Sequence, residues 1–471
     1  MGKRDRGHAP RRASWLPVLL VLLLLGGAAA AYLTGVADRW AADETPDPVT
    51  EPAAVPPPDG MDLAAVPAPE PVAEAAGPGR LRPAAVRRTL TAALEDRDLG
   101  RSVHAAVAAL GEGPPAYSTG DAAFTPASTM KVLTATAVLA ALGPDHRFDT
   151  TVVANGRRLT LVGGGDPMLA RRPADDWPRV ADVQTLAEET AAAVGRRKPV
   201  RLAYDASLFT GPAENPYWRD DYLVDGIVSP ISALWVDEGL AADRSERVSD
   251  PAADAAAAFA AALAEHGVRV QGTPTPNRAP AAARTVASVS SPPLSQIVEH
   301  VILVSDNEGA EVLAHHVGLT VSGDGSFAGG ARGVRKTLGE LGVPLDGAVI
   351  RDGSGLSRKD RLRTSTLIEV LRVAAEQPEL RAVLTGLPVG GFTGSLTFRF
   401  ADAPAAGLGR VRAKTGTLGG VRSLAGIATD QLGTPMVFVL AADRIRVSNS
   451  VDAQVDLDNL AGALGACRCS R

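Results

Sequence analysis

The sequence predicts an α/β protein of the α+β kind, with an antiparallel sheet flanked by helices and interrupted by smaller inserted domains. Three observations carry that expectation. The last third reads as helices and then three neighbouring antiparallel strands, Val411 to Leu418, Ser423 to Thr429 and Met436 to Ala442. A helix from Val451 to Leu464 would cover that sheet. The stretch Lys131 to Leu142 is nearly all Ala, Val, Leu and Thr and is stopped by Gly143-Pro144, so it reads as a helix apolar on most sides and buried mid-domain. Between these regions lie about 170 residues with strand and helix signals of their own, enough for one or two inserted domains.

The elements follow in order. Lys3, Arg4, Arg6, Arg11 and Arg12 precede an uncharged run of 23 residues, Trp15 to Ala37. At ~1.5 Å per helical residue the run spans a bilayer. The positive flank belongs on the cytoplasmic side, which puts the rest of the chain outside. A cleaved signal peptide, cut near Ala29-Ala30-Ala31, is the alternative; the length of the run favours an uncleaved anchor. Ala41 to Gly79 holds ten prolines, eight acids and no Lys or Arg. Such a stretch buries too little apolar surface to fold, and its prolines keep it extended at up to ~3.1 Å per residue. Folded sequence begins near Pro83 with a short helix, about Ala84 to Glu95. A strand-like run, Ser102 to Leu110, and the turn Gly111-Glu112-Gly113-Pro114 come next. Thr150 to Ala154 and Arg158 to Val162 flank Asn155-Gly156, a strong hairpin signal. Val183 to Val194 and Ala253 to His266 read as helices and Val200 to Tyr204 as a strand. Ser295 to Val317 and Thr366 to Glu376 read as two further helices.

Composition excludes several functions. Hydrophobic content of 45% and charged content of 21% are those of a globular protein with a real core. A net charge of −5 and no basic patch with interleaved aromatics argue against nucleic acid as a partner. The two cysteines, Cys467 and Cys469, fall in the last five residues. A disulfide across one residue would be strained and two thiols do not complete a zinc site, so the segment reads as a frayed tail. The seven histidines form no ligand pattern. Adjacent His315 and His316 point about 100° apart on a helix, which suits packing or surface better than a metal pair. No metal and no cofactor are expected.

The chemistry lies in three short strings far apart: Ser128-Thr129-Met130-Lys131, Ser305-Asp306-Asn307 and Lys414-Thr415-Gly416. Only six lysines occur, and two of them stand in these strings. Ser128 opens a helix with Lys131 on its face three residues on. A serine hydroxyl needs a neighbouring base to become a nucleophile, and a lysine serves only if burial or nearby charge lowers its pKa. Taken alone, this string is equally an ordinary helix start with a solvated lysine. Ser305 can relay a proton and the Asn307 amide can hold a peptide carbonyl; taken alone, the string is equally a helix N-cap. Lys414 with the Thr415 and Thr417 hydroxyls can grip a carboxylate. Gly416 admits a close backbone, and the N–H groups of Thr417 and Ser128 can form an oxyanion hole. Alone, it is equally an exposed edge strand. Together and in this order, the three support one active site with catalytic Ser128, Lys131, Ser305, Asn307 and Lys414 and substrate-binding Thr415, Gly416 and Thr417.

The trio is the signature of penicillin-binding proteins and class A β-lactamases. The chain from about Pro83 to Leu464 resembles the low-molecular-mass class C penicillin-binding proteins, the D-alanyl-D-alanine carboxypeptidase / DD-endopeptidase family. Further strings carry the likeness: Leu161 to Pro167 (LVGGGDP), Asp205 to Phe209 (DASLF), Asp352 to Arg358 (DGSGLSR) and Leu387 to Gly391 (LPVGG). The resemblance implies a β-lactamase/transpeptidase-like domain in two parts, 83–147 and 291–471, around inserted material at 148–290. A basic tail at 1–14, an anchor or signal at 15–37 and an acidic Pro-rich linker at 38–82 precede it. It implies a serine-type peptidase in which Ser128 attacks the penultimate D-Ala carbonyl of a peptidoglycan stem peptide, D-Ala leaves and water hydrolyses the acyl-enzyme. Penicillin and other β-lactams would acylate the same serine as inhibitors. Asp205 would meet the amine of the stem peptide's diamino acid. The long apolar anchor and acidic tether depart from the soluble members of the family, and imply a single-pass membrane protein with its catalytic domain outside.

Two other functions compete. A β-lactamase-like hydrolase shares the serine chemistry but needs a base that deacylates fast, and no clear extra base stands in the sequence. A non-catalytic β-lactam-binding wall protein would not need every motif residue intact.

Overall fold

The computed structural model describes residues 79–174, 178–195 and 199–471. The run Trp15 to Ala37 and the linker up to residue 78 lie outside the described residues. Among the described residues no helix is long and apolar enough to cross a membrane.

In chain order the main elements are α1 (Pro83–Leu94), β1 (Val103–Ala109), β2 (Tyr117–Ser118), α2 (Met130–Leu142), β3 (Asp149–Asn155), β4 (Arg158–Val162), α3 (Val183–Val194), β5 (Arg201–Asp205), α4 (Pro251–Glu265), β6 (Thr275–Pro276), β7 (Arg284–Ser290), α5 (Leu294–Val304), α6 (Asn307–Ser322), α7 (Phe327–Glu340), α8 (Thr364–Glu376), β8 (Val411–Leu418), β9 (Val421–Thr429), β10 (Pro435–Ala442) and α9 (Ser450–Ala466). One antiparallel sheet runs β2-β1-β10-β9-β8. The expected C-terminal strands are neighbours: Lys414 opposes Ala425 and Leu440 opposes Leu424. The N-terminal strand β1 closes the other side of β10, with Val107 opposite Phe438.

Alternation along these strands sorts side chains onto two faces. Ala106, Ala108, Val437, Val439 and Ala441 point into a core built with α2, α5, α6 and α8. Ala105, Val107, Phe438, Leu440 and Leu424 point the other way, against Val86 and Leu90 of α1 and Leu457, Leu460 and Leu464 of α9. A sheet buried on both faces explains why β1 and β10 show apolar runs rather than a polar/apolar alternation. The expected burial of α2 is observed: ten residues, Met130 to Leu139, are buried without a gap.

The second sheet runs β6-β5-β4-β3-β7 and uses only residues between Asp149 and Ser290. β3 and β4 form the expected hairpin around Asn155-Gly156. α3 and α4 pack on this sheet through Leu186, Ala187, Phe259 and Leu263.

Three sequence expectations are corrected. Ser295 to Val317 is not one helix. α5 ends at Val304, Ser305 takes a left-handed conformation at φ 65°, and Asp306 starts α6 by accepting from the Gly309 N–H at 2.9 Å. Short polar side chains compete with the helix ladder and favour such caps. α7 was not expected, because four glycines weaken its helical signal. Those glycines let it lie on α6: a Cβ on Gly330 would fall 2.7 Å from the Ala314 carbonyl oxygen. The C-terminal segment is not frayed. Cys467 and Cys469 are joined in a disulfide, Cys469 is fully buried, and Ser470 donates through N and Oγ to Asp430 at 2.9 and 2.8 Å. The Arg82 N–H also donates to the Cys469 carbonyl at 2.7 Å. These contacts tie the chain ahead of α1 to the end of the chain.

Candidate active site

Ser128 sits half-buried in a 3-10 turn, Ala127–Thr129, that leads into α2. The turn is held from both sides. Thr129 Oγ1 and Ser423 Oγ each donate to the Pro126 carbonyl at 2.8 Å. Ala127 takes a φ of 51°, a left-handed conformation costly for a residue with a Cβ. β8 runs against this turn at Gly416. A Cβ there would fall 2.6 Å from the Pro126 oxygen and 2.0 Å from Ser423 Oγ, so only glycine permits the approach.

One helical turn on, Lys131 is fully buried. Its Nζ donates to Ser128 Oγ at 2.9 Å, Asn307 Oδ1 at 2.8 Å and the Ser354 carbonyl at 3.0 Å. Three acceptors match the three protons of an ammonium, so its position is fully specified. Burial pulls its pKa down to about 8, against the opposing pull of Asp306, Glu311, Asp352 and Glu308. The helix thus presents a lysine poised to exchange a proton with Ser128 near neutral pH.

Ser305 and Asn307 flank the joint between α5 and α6. Asn307 spends Oδ1 on Lys131 and one Nδ2 proton on the Ile227 carbonyl at 3.2 Å. Lys414 on β8 is fully buried, donates to the Thr415 carbonyl at 2.9 Å and is pushed well below the ordinary lysine range, by burial first and by the charge of Lys131 second. Thr415 Oγ1 lies 3.1 Å from Ser395 Oγ, and Thr417 is exposed. Ser128, Ser305, Asn307, Thr415 and Thr417 line one cleft of about 570 Å³, which Arg219, Tyr222, Arg358 and Arg422 also line. Lys131, Lys414 and Gly416 lie just beneath it. Larger open space, about 850 Å³ beside Arg147 and Asp182, carries none of these residues.

Asp205 is not brought to the cleft. It ends β5, its carboxylate accepts from the N–H groups of Ser207 at 2.9 Å and Ala279 at 2.7 Å, and it is not among the cleft's lining. Its work in this structure is to fold the chain after β5. Expected packing roles for His315 and His316 do hold. Both are buried, His315 Nδ1 lies 2.8 Å from the Glu311 carbonyl oxygen, and His316 Nε2 lies 2.9 Å from that of Gly165.

Several residues to which the sequence assigns no role in the site also shape it. Ser354 meets Lys131 through its backbone carbonyl. Buried Glu311 holds that loop by accepting from the Gly353 and Ser354 N–H groups, each at 2.9 Å. Asp352 holds it from the other end, accepting from Gly355, Ser357 and Trp218 Nε1 at 2.8, 2.6 and 2.9 Å. Arg358 and Arg422 reach backbone carbonyls of Gly419, Leu418 and Val421, and among the described residues neither has an acidic partner. Two uncompensated guanidinium groups therefore face a cleft that contains no carboxylate among its described lining residues. Behind the joint, Glu238, His300 and Asp306 bring three possible metal-ligand atoms within 4.8 Å of one another.

Known proteins agree with this geometry. A carboxypeptidase of Mycobacterium tuberculosis is 34% identical over 409 residues, 82% of this chain and 85% of that one. A D-alanyl-D-alanine carboxypeptidase of an Actinomadura species is 31% identical over 72% of this chain and 78% of its own. The crystal structure of penicillin binding protein 4 from Haemophilus influenzae superposes with a TM-score of 0.65, covering 82% of this chain and all of that one at 20% identity, which fixes the fold as transpeptidase-like. The D-Ala-D-Ala carboxypeptidase 3 (S13) family matches residues 86–246 and 240–464, nearly everything from α1 to α9. With that span and those identities, the chain belongs to the D-Ala-D-Ala carboxypeptidase 3 (S13) family.

Proposed function

We propose that this chain is a serine DD-peptidase that removes the terminal D-Ala from peptidoglycan stem peptides, or cuts D-Ala cross-links between them, through an acyl-enzyme on Ser128. The observation that carries the reading is the buried Lys131 ammonium, 2.9 Å from Ser128 Oγ and held by Asn307 and Ser354. In its neutral form Lys131 takes the Ser128 proton as Oγ attacks the penultimate D-Ala carbonyl carbon. The oxyanion forms against the backbone N–H groups of Ser128 and Thr417, each such donor being worth about 10²–10³ in rate. As the C–N bond breaks, the leaving amine receives that proton through the Ser305 hydroxyl, and D-Ala departs. Water then adds to the ester, gives a proton back through the same groups, and frees Ser128.

Binding follows from the remaining groups. The substrate's terminal carboxylate meets Thr415, Thr417 and the positive field of Arg358, Arg422 and Lys414. Asn307 keeps a second Nδ2 proton for a substrate carbonyl. A β-lactam carries a carboxylate and a strained carbonyl in the same places, so it acylates Ser128 too. The described cleft lining offers no carboxylate or imidazole to activate a deacylating water, which supports slow turnover of penicillin over a β-lactamase role. On this reading Trp15 to Ala37 anchors the protein in the membrane, residues 38–82 form a spacer, and the catalytic domain lies outside, with 148–290 inserted between its two parts.

The test is D-Ala release from a muramyl pentapeptide by the purified chain and its Ser128→Ala variant, with a cross-linked muropeptide dimer assayed beside it. Release by the wild type alone supports the peptidase and its nucleophile. Penicillin labelling of Ser128 without release from either substrate makes the chain a β-lactam-binding wall protein. Penicillin hydrolysed within seconds makes it a β-lactamase.

A further inference from the structure

Asp306 does more than cap a helix. Only 8% of it is exposed, its Oδ1 takes the Gly309 N–H, and its Oδ2 is buried with no hydrogen-bond partner. A buried carboxylate oxygen left unpaired is costly, and such an atom calls for a proton or a cation. Two other groups come close to the Asp306 carboxylate. Glu238 comes from the loop Val236–Leu240 after β5, and His300 from the last two turns of α5. One ligand atom from each of Glu238, His300 and Asp306 lies within 4.8 Å of the others.

The charges nearby do not resolve the crowding. Arg247 is committed to Glu308 at 2.9 Å, to the Glu238 carbonyl at 3.1 Å and to Ser229 Oγ at 3.2 Å. Its guanidinium does not reach Asp306 Oδ2. Arg244 is exposed and acts on Glu238 only through the field. A divalent ion among these three ligand atoms would give the underpartnered Asp306 carboxylate a cation and offset the two negative charges brought together there.

One imidazole and two carboxylates, with a fourth position left for water, is a donor set that binds zinc. The nitrogen donor selects a first-row transition metal over magnesium or calcium. We propose that Glu238, His300 and Asp306 form a divalent transition-metal site, with zinc as the probe ion. His300 is only half-buried, which leaves the ion a way in from solvent. The ion would tie the Val236–Leu240 loop to the joint that carries Ser305 and Asn307. Asp96, Asp98 and Asp456 form a second acidic group but lack a nitrogen donor, and they serve as the internal control.

The experiment is calorimetric titration of zinc into the full chain after chelator stripping, beside Glu238→Gln, His300→Ala and Asp456→Asn. Far-UV circular dichroism and urea unfolding confirm that each variant is folded. The expected result is one saturable site per chain. Glu238→Gln and His300→Ala should each weaken it more than tenfold, since even partners outside the ligand shell are worth about 10–100-fold, and Asp456→Asn should leave it unchanged. No saturable zinc binding, or equal binding by wild type, Glu238→Gln and His300→Ala, overturns the site and leaves a shared proton as the answer to the crowding. Loss confined to Asp456→Asn overturns it as well. Zinc binding needs no turnover, so its failure is separate from failure of the DD-peptidase reading.

Discussion

If Lys131 is the base for Ser128, acylation must follow the fraction of Lys131 that is uncharged. Burial sets that lysine's pKa at about 8. The uncharged fraction is then about 1% at pH 6, about 9% at pH 7 and about 91% at pH 9. The acylation rate should climb roughly ninetyfold between pH 6 and pH 9 and level off above pH 9. A lysine at its ordinary value near 10.4 would instead give a rise approaching a thousandfold over the same span, with no plateau below about pH 10. The plateau therefore discriminates better than the slope. Lys414 feels the charge of Lys131, so the two buried lysines titrate as a linked pair. The assay is stopped-flow acylation by a fluorescent penicillin, with aliquots returned to pH 8 to show that the fold survived each pH. A flat profile, or a rise that continues past pH 10, refutes Lys131 as a base tuned by burial.

Other expectations follow from the same contacts. Glu311→Gln replaces one acceptor oxygen by an NH₂ that faces a backbone N–H, which costs about 1–3 kcal/mol in urea unfolding. Burial raises Glu311 itself to about 8, so it is partly ionised where Lys131 titrates, and losing its charge should move the acylation inflection modestly below 8; an unmoved inflection argues against that coupling. Gly416→Ala places a Cβ 2.6 Å from the Pro126 oxygen, forcing β8 off the Ser128 turn. Penicillin acylation should fall at least about 10²-fold, the scale of losing one oxyanion donor, and full activity would mean the strand and turn are not rigidly apposed. Asp458→Ala leaves Arg399, which it binds through two hydrogen bonds at 2.9 and 2.6 Å, buried without a partner. The expected loss in urea unfolding is about 3–5 kcal/mol, and a loss under 1 kcal/mol would show that the arginine swings out to water.

What the sequence reveals is the chemistry that only particular side chains can do. A nucleophile, a lysine base, an amide and a second lysine cannot be replaced by other residue types, so their strings stand out across 290 residues of intervening chain, Ser128 to Thr417. Ser354 acts through a carbonyl that every residue owns, so no composition or spacing announces it. The break at Ser305 is hidden for a related reason. Apolar residues continue from Ile297 and Val301 on α5 to Ala310 and Leu313 on α6, and only the left-handed serine between them turns the chain. α7 is hidden because its glycines serve the neighbour they pack on rather than the helix they sit in. Asp205 misleads in the opposite direction. An acid in a distinctive string suggests a ligand, yet here each carboxylate oxygen accepts a backbone N–H, from Ser207 and Ala279, and neither oxygen lines the cleft.

The segment between β5 and α4 bears directly on the candidate catalytic groups. Ile227 takes the Asn307 amide, the Ser229 N–H and Arg247 hold Glu308 beside it, and Trp218 and Asn215 grip Asp352 and the Arg351 carbonyl. Each contact lands within three residues of a group that touches Lys131. The three acceptors on Lys131 come from the 3-10 turn before α2, from α6 and from the Asp352–Ser357 loop, and the last two are buttressed by this one segment. A lysine kept at about 8 by burial needs walls that do not move, because water admitted to its side would raise it again. Shortening the segment would therefore cut the uncharged fraction of Lys131 near neutral pH even where every motif residue stayed in place.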